Sequence, residues 1–224
     1  MKQKVLLLLQ SRLSSSRLPA KALLSIGGFP MVVLAAKRSM NTGYDLSVVT
    51  SDHSDDDLLV DVLGKYGLKY FRGSLTNVLE RFQIVINRDE YKSKEIFVRL
   101  TADNVIPDGA LIGEAVECFV NSDCDYLTTI GQNSNLPYGV TLEIFSRGAI
   151  EKAYKYAKTD EEREHVTVWI SRNLSKKVFL SRFLVQNKSN ESYTIDNYCD
   201  YVFVSKKFLK LSDTILAPWN ELIE

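Results

Sequence analysis

With 224 residues, 45% of them hydrophobic, the chain is long enough to bury one substantial α/β core, and one domain over 1–224 is expected. Its 28 basic and 28 acidic residues cancel, which leaves no global positive field for nucleic acid phosphates and excludes nucleic acid as an expected partner. The longest apolar run, 5–9, is far below the ~20 residues of a membrane span, and the first residues carry no signal-peptide pattern, so a cytoplasmic protein with no membrane partner is expected.

That apolar run, Val5 to Leu9, reads as a buried strand. It gives way to Gln10 and Ser11, then to Ser14, Ser15 and Ser16 interleaved with Arg12, Arg17 and Lys21. Small hydroxyl residues let the backbone fold closely around oxygens, and three cations can share the charge of a triphosphate, so the loop 10–21 points to polyphosphate binding. Gly27-Gly28 predicts a turn, with a helix from Pro30 to about Met40. A strand over 45–50 precedes a helix led by Asp55, Asp56 and Asp57, expected as a solvated first turn. A strand at 68–72, a helix over 77–90 and a strand at 95–101 follow, the last ending at Asp103.

This alternation predicts a mostly parallel, Rossmann-like sheet with helices on both faces and a ligand crevice outside the strand C-terminal ends. Further on, a helix over 109–121, strands over 125–129 and 140–145, and helices over 147–158 and 161–173 are expected. Late strands over 177–185 and 193–196 and a final helix to about 211 complete the pattern, with 212–224 as a surface tail or partner contact. Cys118, Cys124 and Cys199 lack metal-ligand spacing and are expected as reduced packing residues.

A phosphate-rich ligand calls for a divalent cation held by one or two carboxylates. Asp103 and Asp196, each at a predicted strand end, could meet at one sheet edge for that purpose. Several other chemistries lack their motifs: there is no P-loop, no Gly-x-Gly-x-x-Gly and no Gly-x-Ser-x-Gly. Two histidines, His53 and His165, cannot build a histidine-rich zinc site. His53 is expected in solvent and His165 near a helix start.

The segment 5–24, VLLLLQSRLSSSRLPAKALL, resembles the opening of the SpsF-type cytidylyltransferases, within the acylneuraminate and Kdo cytidylyltransferase superfamily. Gln10, Arg12, Arg17, Leu18, Pro19 and Lys21 match. The likeness continues through Phe71-Arg72-Gly73-Ser74, Val78-Leu79 with Arg81, Arg99-Leu100-Thr101 with Asp103, Pro137 and Gly139 with Glu143, the stretch 162–167, and 194–196 with Asp200-Tyr201.

The resemblance implies a nucleotidyl transfer in which a sugar hydroxyl attacks CTP to give a CMP-sugar and pyrophosphate, in a homodimer. It implies Arg12, Lys21 and Asp103 as catalytic groups, and Gln10, Ser11, Arg12, Ser14, Arg17, Lys21 and Arg81 around CTP. Mg²⁺ would sit on Asp103 and Asp196, and an acidic sugar against Glu143, Arg163, Glu164 and His165. A face made by Val178, Leu180, Phe183 and Val185 could serve the dimer.

Family glycines are replaced by Ser14, Ala20 and Ala102, and Asn77 and Thr141 stand where acids are common. Two alternatives follow. One is a glycosyltransferase using Asp123-Cys124-Asp125 as its metal motif; the other is a nucleotide-binding homologue weak in catalysis.

Overall fold

A computed structural model describes residues 2–131, 133–183 and 186–224. The chain opens with β1 (Val5–Gln10), a short hairpin of β2 (Ser25–Ile26) and β3 (Phe29–Pro30), α1 (Met31–Met40), β4 (Asp45–Ser51), α2 (Asp57–Lys65) and β5 (Tyr70–Gly73). It continues through α3 (Val78–Ile86), β6 (Ile96–Thr101), α4 (Gly109–Val120), β7 (Tyr126–Thr128), β8 (Glu143–Ser146) and α5 (Arg147–Tyr156). Next come α6 (Asp160–Glu164), α7 (Val168–Asn173), β9 (Lys176–Val178) and α8 (Tyr198–Phe208).

Among the described residues the main sheet has seven strands in the order β5-β4-β1-β6-β8-β7-β9. Every pairing is parallel except those of β8, which runs against both neighbours. The chain therefore builds outward from β1 to β5 and crosses back through α3 to lay β6 on the other side of β1. Loops leave this reversal point in opposite directions and open a crevice beyond the ends of β1 and β6, where Gln10 pairs with Thr101.

Alternation along β1 explains why its run is apolar throughout. Val5, Leu7 and Leu9 pack with α1, α2, α4 and α8 on one face, and Leu6 and Leu8 pack with α3, α5 and α7 on the other. A strand covered on both sides has no residue left for water.

The mostly parallel α/β class is as expected, with local corrections. The expected strand at 140–145 begins only at Glu143 and is antiparallel. The helix expected over 161–173 is broken at His165, which follows α6 instead of starting a helix. The late strand shrinks to β9; the expectation for Val185 falls outside the described residues. Residues 193–196 form no strand, and a single bridge, Tyr138 to Ser192, holds that stretch in place.

The last dozen residues are not a surface tail. Trp219, Leu222 and Ile223 are buried in the core beside α8. Buried Arg38 donates to the carbonyls of Thr214, Ala217 and Ile106 at 2.8, 2.9 and 2.7 Å, and the Trp219 N–H donates to Asp108 at 3.0 Å. Cys118 and Cys124 pack against the core, but Cys199 is exposed. No helix among the described residues is long and apolar enough to cross a membrane.

Candidate active site

A cavity of about 490 Å³ lies at the crevice. Its wall includes Gln10, Ser11, Arg12, Ser14, Arg17, Lys21, Asp103, Glu143, His165 and Asp196, all expected from the sequence, as well as Ser15 and Ser16 of the same loop.

The loop after β1 is folded around Leu13. The Leu13 side chain is buried, and its carbonyl accepts the N–H groups of Ser15 at 2.8 Å and Ala20 at 3.0 Å. Ala20 has φ +55° and is the one non-glycine residue with positive φ among those described, so it keeps a glycine-like backbone at the cost of strain. That conformation turns the chain into the short helical turn that carries Lys21. Ser11 is buried, and its hydroxyl has no partner among the described residues, a donor available to a ligand.

Lys21 Nζ lies 2.8 Å from Asp103 Oδ2, 3.0 Å from Asp196 Oδ1 and 2.8 Å from the Ile195 carbonyl. Arg17 approaches Asp196 at 2.8 Å. Asp103 arrives from the end of β6. Asp196 arrives from a stretch fastened beside it by the Ile195 N–H donating to Asp103 O at 3.0 Å. Gly139 permits this approach: its φ is +94°, and a Cβ there would lie 2.3 Å from the backbone nitrogen of Thr194. The two carboxylates that the sequence separates by 93 positions therefore converge on one ammonium. Two carboxylates are oxygen donors of the kind a hard divalent cation takes alongside phosphate oxygens and waters, and no larger cluster of His, Cys, Asp or Glu suited to a metal occurs among the described residues.

The inner wall is arranged differently. Glu143 Oε1 accepts from Tyr126 Oη and, at 2.7 Å, from Thr167 Oγ1, while Oε2 accepts from Arg99. Burial acts to raise the Glu143 carboxyl, but the charge of Arg99 and these hydrogen bonds outweigh it and hold the group below the ordinary glutamate value. Arg99 also donates to Gln10 Oε1 at 3.0 and 3.3 Å, which ties this wall to the end of β1. Beside it Asn104 donates to Thr141 Oγ1 at 2.7 Å and accepts from Thr194 Oγ1 at 2.8 Å. Arg99, Asn104, Thr141 and Thr194 all line the cavity. Of these, Thr141 and Asn104 stand at positions where the sequence departs from the family pattern, whereas Arg99 and Thr194 match the family without a site role.

Three expected residues stand outside the cavity wall. Arg163 is exposed, and Glu164 forms only a 3.7 Å surface pair with Arg12. Arg81 is fully buried, with no hydrogen-bond partner for its guanidinium among the described residues. Burial and then the charge of Arg12 lower its pKa to about 10, against the opposing pull of Asp56 and Asp52, so it stays protonated at neutral pH. The acidic turn before α2 also differs from expectation. Asp56 is buried and accepts the Leu13 N–H at 2.7 Å. Asn77, where an acid was anticipated, caps α3 by accepting from the Glu80 N–H at 3.1 Å. Asp125 bonds to Ser175 at the start of β7, the end of that strand away from the crevice, and is not part of the wall.

Fold and site together define a nucleotide-handling α/β transferase. The chain belongs to the cytidylyltransferase family, whose model matches residues 6–214, and so to the enzymes that use CTP for nucleotidyl transfer. It is 32% identical to an uncharacterised protein of Methanocaldococcus jannaschii, over 99% of this chain and 89% of that one. It is 28% identical to the spore coat polysaccharide biosynthesis protein SpsF of Bacillus subtilis, over 98% and 92%. The solved structure of a cytidylyltransferase from Leptospira borgpetersenii superposes with a TM-score of 0.88 at 24% identity, covering 98% of this chain and 92% of that one.

Proposed function

We propose that the protein, as one domain over 1–224, condenses CTP with an acidic sugar to form a CMP-sugar and pyrophosphate for a surface polysaccharide. The observation that carries this reading is the convergence of Asp103 and Asp196 on Lys21, beside Arg17 and the serine loop. The sugar hydroxyl oxygen forms a bond to the α-phosphorus and gives its proton to water, the bond from that phosphorus to the bridging oxygen breaks, and pyrophosphate leaves with that electron pair. Such a transfer depends chiefly on positioning and on positive charge placed where negative charge accumulates. Lys21, Arg12 and Arg17 supply that charge, and Ser11, Ser14 and Gln10 hold the nucleotide. Mg²⁺ held by Asp103 and Asp196 would neutralise phosphate charge when bound.

His165 and the Asn104, Thr141 and Thr194 wall receive the sugar. Glu143 has its carboxylate occupied by protein donors and acts by holding Arg99. The role of the Bacillus relative in spore coat polysaccharide biosynthesis supports the pathway class. We place the enzyme in the cytoplasm as a homodimer formed along the β9 edge, where Leu180 and Phe183 are exposed.

The test is pyrophosphate release by the purified protein with CTP, Mg²⁺ and a panel of acidic sugars, with UTP and ATP as controls. Release that requires both CTP and one acceptor class supports the proposal. Absence of both CTP binding and pyrophosphate release across the panel overturns it.

A further inference from the structure

The acidic turn before α2 contains a carboxylate that the chemistry above does not use. Asp56 is 1% exposed and absent from the cavity wall, yet one of its oxygens reaches the loop that lines the cavity. Oδ1 accepts the Leu13 N–H at 2.7 Å. Oδ2 accepts from Thr50 Oγ1 at 3.0 Å, from the Ser51 N–H at 3.1 Å and from the Ser51 hydroxyl. Burial pushes the carboxyl up, but the bonds from Ser51, Leu13 and Thr50 outweigh it and keep it below the ordinary aspartate value.

Leu13 is the hub of the 11–20 loop, since its carbonyl already ties down Ser15 and Ala20. Its N–H is held by Asp56, which is bonded in turn to Thr50 and Ser51 at the end of β4, the strand whose Val49 carbonyl also accepts the Ser11 N–H at 3.2 Å. Flanking Leu13 are Arg12 and Ser14, both in the cavity wall. A displaced Leu13 would displace them together. The negative charge is met by the four hydrogen bonds from Leu13, Thr50 and Ser51, so a buried carboxylate is tolerated here.

We propose that Asp56 is a positioning residue that sets the phosphate-binding loop through Leu13. The proposal rests on the CTP reading for its functional consequence but not for its structural one.

The experiment compares Asp56→Asn with Thr50→Val. The first weakens the grip on Leu13. The second removes a donor to the same carboxylate but leaves the Leu13 bond intact. Backbone amide exchange, read without nucleotide, is expected to show the Leu13 amide protected in the wild type and in Thr50→Val and markedly less protected in Asp56→Asn, whose single acceptor oxygen must serve either Leu13 or the donors of Thr50 and Ser51. With CTP, Asp56→Asn should raise KM about tenfold, the scale of one charge-assisted hydrogen bond, with kcat at saturation largely kept. Thr50→Val should lower Tm and leave KM within about twofold. Equal Leu13 protection in all three proteins, or an equal KM rise in both variants, overturns the proposal. Absence of CTP binding by the wild type would instead overturn the proposed function and leave the exchange result to decide this inference.

Discussion

The two ends of the cavity hold charge in opposite ways. At the loop end Lys21 and Arg17 are paired with Asp103 and Asp196 at 2.8 to 3.0 Å, but the groups face the cavity and their partners are exchangeable. At the inner end Glu143 is buried, and both its oxygens are taken by Arg99, Tyr126 and Thr167. The first arrangement can hand its cations to a phosphate when a ligand arrives. The second cannot release Arg99 without leaving a buried carboxylate unpaired. The difference lies in the acceptors: a phosphate can replace the carboxylates around Lys21 and Arg17, whereas every carboxylate oxygen of Glu143 is taken by protein donors.

The largest effect expected from this contrast is at the exchangeable end. Asp103→Asn should cut turnover by about 10² to 10³-fold, the scale at which removing one group aimed at the reacting charge is felt. Its Tm should stay near the wild-type value, because the side chain is partly exposed and meets no core residue. Steady-state kinetics with a thermal melt separates the two. Full activity in the variant would remove Asp103 from the site.

The locked end should respond in stability first. Glu143→Gln leaves Arg99 without its buried counter-charge and should cost about 3 kcal/mol in denaturant unfolding, since breaking such a pair strands the other ion. The pH dependence follows from the same residue. Its folded carboxyl lies below the ordinary value, so its stabilisation is complete above the unfolded pKa of about 4.3 and is lost as pH falls through the folded value. The wild type should therefore lose stability on acidification below about pH 4 more steeply than Glu143→Gln. Parallel acid profiles would break the comparison.

A smaller change sharpens it from the side of the loop. Ala20 keeps a left-handed backbone at φ +55°. Ala20→Gly should relieve about 1 kcal/mol of strain, partly offset by added freedom in the unfolded chain, for a net gain of about 0.5 kcal/mol. An upward shift in Tm with CTP affinity unchanged would show that the loop already has its working shape.

Much of this could be read in the sequence because the informative features are local. Five consecutive apolar residues ending in a loop of serines and cations announce a strand buried on both faces with an anion site at its end, and Asp103 follows its own strand directly. Asp196 was legible only through its place at an apolar stretch and the family likeness, and the structure sets it within 3.0 Å of Lys21. What escaped depends on partners far along the chain. Asp56 looks like any helix-start acid until Leu13, 43 positions earlier, is laid beside it. Arg81 sits in a helical pattern that says nothing of burial for a cation. The direction of β8 is not written in a strand's alternation, and Trp219, Leu222 and Ile223 are too few to announce a core segment by periodicity.

The smallest expected effect tests whether the cavity is the whole of the chemistry. Asp123-Cys124-Asp125 has the letters of a glycosyltransferase metal motif, but Asp125 sits at the beginning of β7, where it accepts from Ser175 Oγ at 2.7 Å. Strand β7 runs parallel to β1, so its beginning lies at the opposite edge of the sheet from the crevice that holds Lys21 and Asp196. Asp125→Asn keeps an acceptor for Ser175 and removes only charge at a solvated turn, so turnover should change by less than about twofold. A loss comparable to that of Asp103→Asn would move the metal to the far edge and replace nucleotidyl transfer with transfer from a finished nucleotide-sugar.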